Sequence, residues 1–269
     1  ALSRGWQPTG DVAIISLRAL DVGGAHTPLL GQPTTSEEFT GTPANHPGPI
    51  EFWLLSPALR VFGERAGGPL AIAVINAAAL GAALALAFRR GGVALLALMA
   101  GSTAGLVHAL GAASLYDPFN SELATYSMLV MIMAAWSILV GDLRVAPLFA
   151  AAAAVVSQVH VAGAAFTAPL ALAVIASVAV TWRTHRQTVR KDRAYLLGAA
   201  GLLALAWLPP LLHELGGDPS NLAALWEAAT IDRPSIGLSF TLERLATAVA
   251  PVPIFLRQTG RFGFLDEAA

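Results

Sequence analysis

Apolar residues in this chain come in long blocks. A membrane-spanning helix needs about 20 apolar residues to cross ~30 Å of hydrocarbon. Six blocks reach that length, the shortest of them marginally: 69–88, 92–115, 122–140, 145–163, 166–182 and 194–212. They are built mainly of Ala, Leu and Val, which predicts helices rather than the strands of a barrel. Pro147, Pro169, Pro209 and Pro210 fall inside them. Spanning helices tolerate proline where neighbouring helices pack over the freed backbone groups. The alanine run at 150–154 favours close helix–helix contact. The expected fold class is all-α, a polytopic helical membrane protein. Its expected regions are a polar loop at 1–68, six spans over 69–212 and a second polar region at 213–269.

Composition agrees. Of 269 residues, 55% are hydrophobic and 12% charged, against roughly 25% charged in a soluble domain. The mean hydropathy is +0.63. These values exclude intrinsic disorder and a water-soluble α/β enzyme. A net charge of −1 leaves no basic surface for nucleic acid. The chain has no cysteine, so disulfides, thiolate chemistry and Cys-ligated metals are excluded. It opens on Ala1 without a signal peptide, and residues 1–68 read as following directly on a first membrane helix.

Charge then orients the spans. Arg89, Arg90, Arg144, Arg183, Arg186, Arg190, Lys191 and Arg193 lie in connections on one side, eight basic residues in all. On the other side the connection 116–121 has none, and 213–233 has only Arg233. The positive-inside rule places the first set in the cytoplasm. Fifteen of the seventeen acids then lie outside, with only Asp142 and Asp192 inside. The polar regions 1–68 and 213–269 are accordingly expected to face outward, at the cytoplasmic membrane.

Region 1–68 carries helix signals. Thr9, Gly10 and Asp11 open a helix whose apolar faces run through 12–20, as expected of a helix lying on a membrane surface. Thr35 and Glu38 have capping-box spacing. Pro43, Pro47 and Pro49 predict an extended segment before an amphipathic helix over 50–62. Asp11 reads either as a helix cap or as a carboxylate base. His46, held between Asn45 and Pro47, reads as a solvated loop histidine or as a donor to an anion. Glu37 and Glu38 are adjacent, so both cannot face one substrate; a solvated helix start, or a contact to a sugar hydroxyl or a metal, is open to them. Asp117 and Asn120 flank Pro118 and Phe119 in an outer turn. Gln158 and His160, near the outer end of an apolar span, are either interhelical hydrogen-bond partners or functional. No His-x-Glu-x-x-His, Walker or Gly-x-Gly-x-x-Gly pattern is present, so zincin, NTPase and dinucleotide chemistry have no support.

Two segments carry a resemblance. DVAIISLR, from Asp11 to Arg18, and HPGPIEFWLLSPALRVFG, from His46 to Gly63, follow one another in the order and at the separation found in the first outer loop of GT-C-fold glycosyltransferases. The likeness is to the bacterial aminoarabinose transferase and protein O-mannosyltransferase-like branch. Val12 stands where that branch often has a second acid, His46 where it has Lys, and Glu51 where an aromatic is expected. The resemblance implies a GT-C-like fold with extracytoplasmic juxtamembrane helices in the first outer loop. It implies inverting transfer of a sugar from a polyprenyl-phosphate donor in the bilayer to a hydroxyl of a glycan, lipid or protein acceptor. Asp11 would be the base, and His46, with Arg18 or Arg60, would hold the donor phosphate. Glu37, Glu38, Asp117, Asn120, Gln158 and His160 are further substrate-contact candidates. No metal ligand and no cofactor is assigned. The rival readings are a catalytically silent membrane scaffold and a transporter or flippase.

Overall fold

The computed structural model describes residues 7–216, 219–231 and 237–249. Arg233 and the chain from 250 onward, part of the outer region expected at 213–269, lie outside the described residues. Within them the protein is helical: α1 Gly10–Leu20, α2 Glu37–Thr40, α3 Ile50–Leu110, α4 Asn120–Leu139, α5 Ala146–Val159, α6 Val161–Thr184, α7 Arg186–Lys191, α8 Arg193–Gly216, α9 Asn221–Thr230 and α10 Leu238–Val249. Four of these, α3, α4, α6 and α8, are long and apolar enough to cross a membrane.

The helix α3 is not one rod. Gly63 has φ 73° and Gly92 φ 61°, a region that side chains with a Cβ rarely adopt. The breaks at Gly63 and Gly91–Gly92 divide α3 into stretches 50–62, 64–90 and 93–110. At the second break the chain reverses. Arg89 (2.7 Å) and Arg90 pair with Asp142, beyond the end of α4. Leu106, in contrast, shares a groove with Ser121 and His160 at the opposite end. Stretches 64–90 and 93–110, with α4, α5, α6 and α8, therefore correspond to the six apolar blocks.

Two blocks end sooner than their hydropathy suggests. The second stops at Leu110, where Gly111 (φ 86°) leads into a 3-10 turn over Ala112–Leu115. The fourth stops at Val159, because His160 is extended (φ −153°, ψ 136°) and α6 starts immediately after it.

At 14 residues, α5 is the shortest of the apolar helices and the most central. Stretches of α3, together with α4, α6 and α8, pack on it. Ala150, Ala152, Ala153 and Ala154 are buried there, and their small side chains let the neighbours come close. Around them Leu86, Met131, Ile138, Phe149 and Val156 form the main core. A second cluster joins Ile15 and Ala19 of α1 to Phe52, Leu55 and Leu59 of α3, Leu123 of α4 and Val159 of α5. It seats α1 across the bundle end, with Ile14 and Leu17 exposed on its other side.

The capping box expected at Thr35 and Glu38 is not formed. The helix α2 begins at Glu37 after Ser36, so Glu38 falls one position short of the residue that reaches back to a cap. The Thr34 hydroxyl organises the turn instead: it donates to Ala44 O (3.0 Å) and accepts from the Ser36 backbone N–H (3.3 Å).

Candidate functional site

A cavity of about 410 Å³ opens at the end of the bundle away from the Arg–Asp pairs, and residues far apart in sequence form its walls. Asp11 comes from the first turn of α1. Gln32 and His46 come from a paired loop in which Gly31 N donates to His46 O (3.0 Å), His46 N to Gln32 O (2.9 Å) and Thr34 N to Ala44 O (2.8 Å). Asn120 starts α4, and His160 sits between α5 and α6. Leu225, Ala228 and Ala229 of α9 close the remaining side.

The loop carrying His46 is fixed from both sides. Toward the bundle, Gly48 N donates to Gln158 O (3.2 Å). A Cβ at position 48 would lie 2.2 Å from Gln158 Oε1, so any larger residue there must push the Gln158 side chain aside. Toward α9, Asn221 Oδ1 accepts from Asn45 N (2.7 Å) while its Nδ2 donates to Asn45 O (3.1 Å). This side-chain amide pairs with a backbone residue as a neighbouring strand would. The N-terminus of α9 is in turn capped by Ser220, whose Oγ accepts from Ala223 N (3.1 Å), and by Glu214, which accepts from Leu222 N (3.0 Å).

The two imidazoles stack at 4.7 Å between centroids, tilted by 34°. Val161 N donates to His46 Nδ1 (3.3 Å) and Ala162 N to His160 Nδ1 (3.1 Å). An Nδ1 that accepts carries no proton, so each neutral ring carries its proton on Nε2. Burial, and then the neighbouring His160, pulls His46 down to about 4. Burial also lowers His160. At neutral pH the pair is therefore uncharged and offers two Nε2–H donors.

Asp11 is exposed at the cavity, in the second position of α1. The N-cap is Thr9, and it makes no side-chain cap bond. Among the described residues the Asp11 carboxylate makes no hydrogen bond or ion pair, so it is not consumed as a cap. Asn120 donates from Nδ2 to Val159 O (3.2 Å), while its Oδ1 is buried without a partner. Gln32 Oε1 is likewise buried and unpartnered.

Of the residues singled out from sequence, Asp11, His46, Asn120 and His160 line this cavity and the others do not. Arg18 pairs with Asp21 (3.0 Å) and faces a separate depression beside His213. Arg60 donates to Leu20 O (3.1 Å) and to Val22 O, tying the end of α1 to α3. Glu37 and Glu38 point to solvent, although their neighbours Ser36 and Phe39 reach the cavity. Asp117 is half-buried in the turn before α4, and burial raises its carboxyl above the usual range. Gln158 is fully buried behind the His46 loop, with Nε2 on Ala206 O of α8 (2.8 Å). Gln32, Asn221 and the α9 wall were not anticipated. Among the described residues no group of three His, Cys, Asp or Glu side chains is placed to hold a metal.

Compared with protein-family models, curated proteins and solved structures, the chain matches none. Among the described residues the fold is all-helical, with four helices long and apolar enough to cross a membrane.

Proposed function

We propose that the chain is a membrane glycosyltransferase that moves a sugar from a polyprenyl-phosphate donor to an acceptor hydroxyl outside the cytoplasmic membrane. The observation that carries the reading is that Asp11, unpaired at the start of α1, and His46, stacked on His160, line one cavity. The acceptor oxygen attacks the anomeric carbon on the face opposite the phosphate. The bond from that carbon to the phosphate oxygen breaks with its electron pair on the phosphate, and the configuration inverts. The acceptor proton passes to the Asp11 carboxylate. Negative charge grows on the departing phosphate, and the two Nε2–H donors are fixed before it develops, which is when such donors lower a barrier most. The reading assigns no metal and no cofactor, and it leaves Arg18 and Arg60 to their structural partners. Its acceptor is a glycan, a lipid or a protein.

The test is transfer from a labelled polyprenyl-phosphate sugar by the protein in lipid vesicles. Asp11→Asn keeps the shape of the side chain and should cut transfer by ~10²–10⁴-fold, the usual contribution of a general base, with folding unchanged. His46→Gln should impair use of the donor more than use of the acceptor. Transfer by Asp11→Asn at the wild-type rate would remove Asp11 from the mechanism. A catalytically silent scaffold is the second reading. What favours it is that no Lys or Arg among the described residues lines the cavity beside the place of the phosphate. It predicts that no polyprenyl-phosphate sugar is consumed.

A further inference from the structure

A second cleft, of about 770 Å³, lies at the opposite end of the bundle, between α6 and α8. Both helices pack on α5. The facing sides of α6 and α8 carry Ile175 and Val178 on one and Leu196 and Leu197 on the other, with Ile175 and Leu197 largely exposed. At its mouth stand Arg183, Arg190 and Arg193. Among the described residues none of these three has an acidic partner. The acids of this end are taken: Asp142 by Arg89 and Arg90, Asp192 by Arg144 at 3.4 Å. The cleft thus joins three uncompensated cations to an apolar wall on two helices that are each long enough to cross a membrane.

We propose that this cleft binds one anionic phospholipid, with its phosphate on Arg183, Arg190 and Arg193 and its acyl chains along α6 and α8. Guanidinium groups stay charged at any physiological pH and match phosphate oxygens in pairs. Basic pockets between spanning helices are suited to anionic head groups. A soluble anion would leave the apolar wall without a function. A zwitterionic lipid brings its own cation to a site that already holds three. Trp182 lies beside the arginines, at the level where an indole favours the membrane–water boundary. The site is independent of sugar transfer and stands or falls without it.

The probe is phosphatidylglycerol added to the full chain in detergent, with phosphatidylcholine of the same acyl chains as control and inorganic phosphate as competitor. Retained lipid is read by native mass spectrometry. Phosphatidylglycerol should be retained in preference to phosphatidylcholine, and inorganic phosphate should not displace it. Each Arg→Gln change should weaken retention by about 5-fold, and the triple change by on the order of 100-fold, from the usual contribution of a basic residue near an anionic head group. Loss of positive charge at this end can disturb membrane insertion, so two variants that keep the charge decide the matter if the glutamine variants fail to fold. The triple Arg→Lys variant, which keeps the charge but not the paired match, should bind more weakly and still prefer phosphatidylglycerol to phosphatidylcholine. Ala179→Phe, which fills the cleft, should lose it. Equal retention of phosphatidylcholine, displacement by inorganic phosphate, or full retention by Ala179→Phe would overturn the proposal.

Discussion

The backbone hydrogen bonds to His46 Nδ1 and His160 Nδ1 decide what each ring offers and how it responds to acid. Protonating His46 would remove the acceptor for Val161 N and place a charge among buried groups. Its value in the fold, about 4, lies below the ordinary 6.5. The unfolded chain therefore binds more protons between these two values, and folding weakens as pH falls through that window. The stabilisation is complete above pH 6.5 and gone below about 4. Asp117 is shifted the other way, because burial favours its neutral form. The comparison that isolates the imidazole is wild type against His46→Gln. The melting temperature of the wild type should fall more steeply between pH 6.5 and 4 than that of the variant; parallel curves would contradict the assignment. At this scale residue type and position relative to the apolar blocks were a fair guide. Asp11, His46, Asn120 and His160 were legible as polar groups at one end of the apolar blocks. Arg18 and Arg60 were expected at the phosphate only from the resemblance. Partners close at hand hold them, Asp21 three residues on for Arg18 and the carbonyls of Leu20 and Val22 for Arg60. Gln32 was not legible, because its burial comes from the pairing of 31–34 with 44–46, and no periodicity announces that pairing.

Among elements, the loop at 44–49 matters most, because it carries His46 and has no regular structure to hold it. Its seat depends on Gly48 against Gln158. Gly48→Ala should destabilise the fold by about 1–3 kcal/mol, the usual cost of overpacking a close contact. In a Gln158→Ser background the same change should cost clearly less, since the atom it strikes is gone. Thermal unfolding of the four proteins of that cycle measures the difference, and strictly additive effects would show that the two residues do not meet. Gln158 was read as either an interhelical hydrogen-bond partner or a functional group; it bonds Ala206 O of α8 and backs the His46 loop. The six apolar blocks were legible as helices because burial in lipid demands little beyond length and hydropathy. Their ends were less so. Hydropathy continues through Gly111 and His160, where backbone geometry stops the helix. The α9 wall was hidden inside a polar region, since a helix of ten residues that covers a cavity needs only Leu225, Ala228 and Ala229 on one side.

At the scale of the whole molecule the two ends differ in kind. One gathers Arg89, Arg90, Arg144, Asp142 and Asp192 into ion pairs. The other carries the cavity with its stacked imidazoles. The basic bias predicts the first end in the cytoplasm. With no native cysteine the chain suits accessibility labelling. In intact cells an impermeant maleimide should label Glu38→Cys and spare Gln187→Cys, two positions exposed at opposite ends; the reverse pattern would invert the protein. The Asn45–Asn221 clamp bears on how such a protein is made. Its partners are 176 residues apart. At typical ribosomal speeds of about 5–20 residues per second, roughly 9–35 s separate their synthesis. Helices α1 to α8 all precede Asn221 in the chain, so they are synthesised before the residue that pins the His46 loop. A nascent chain that stops short of Asn221 therefore carries those helices with the cavity still open on the α9 side.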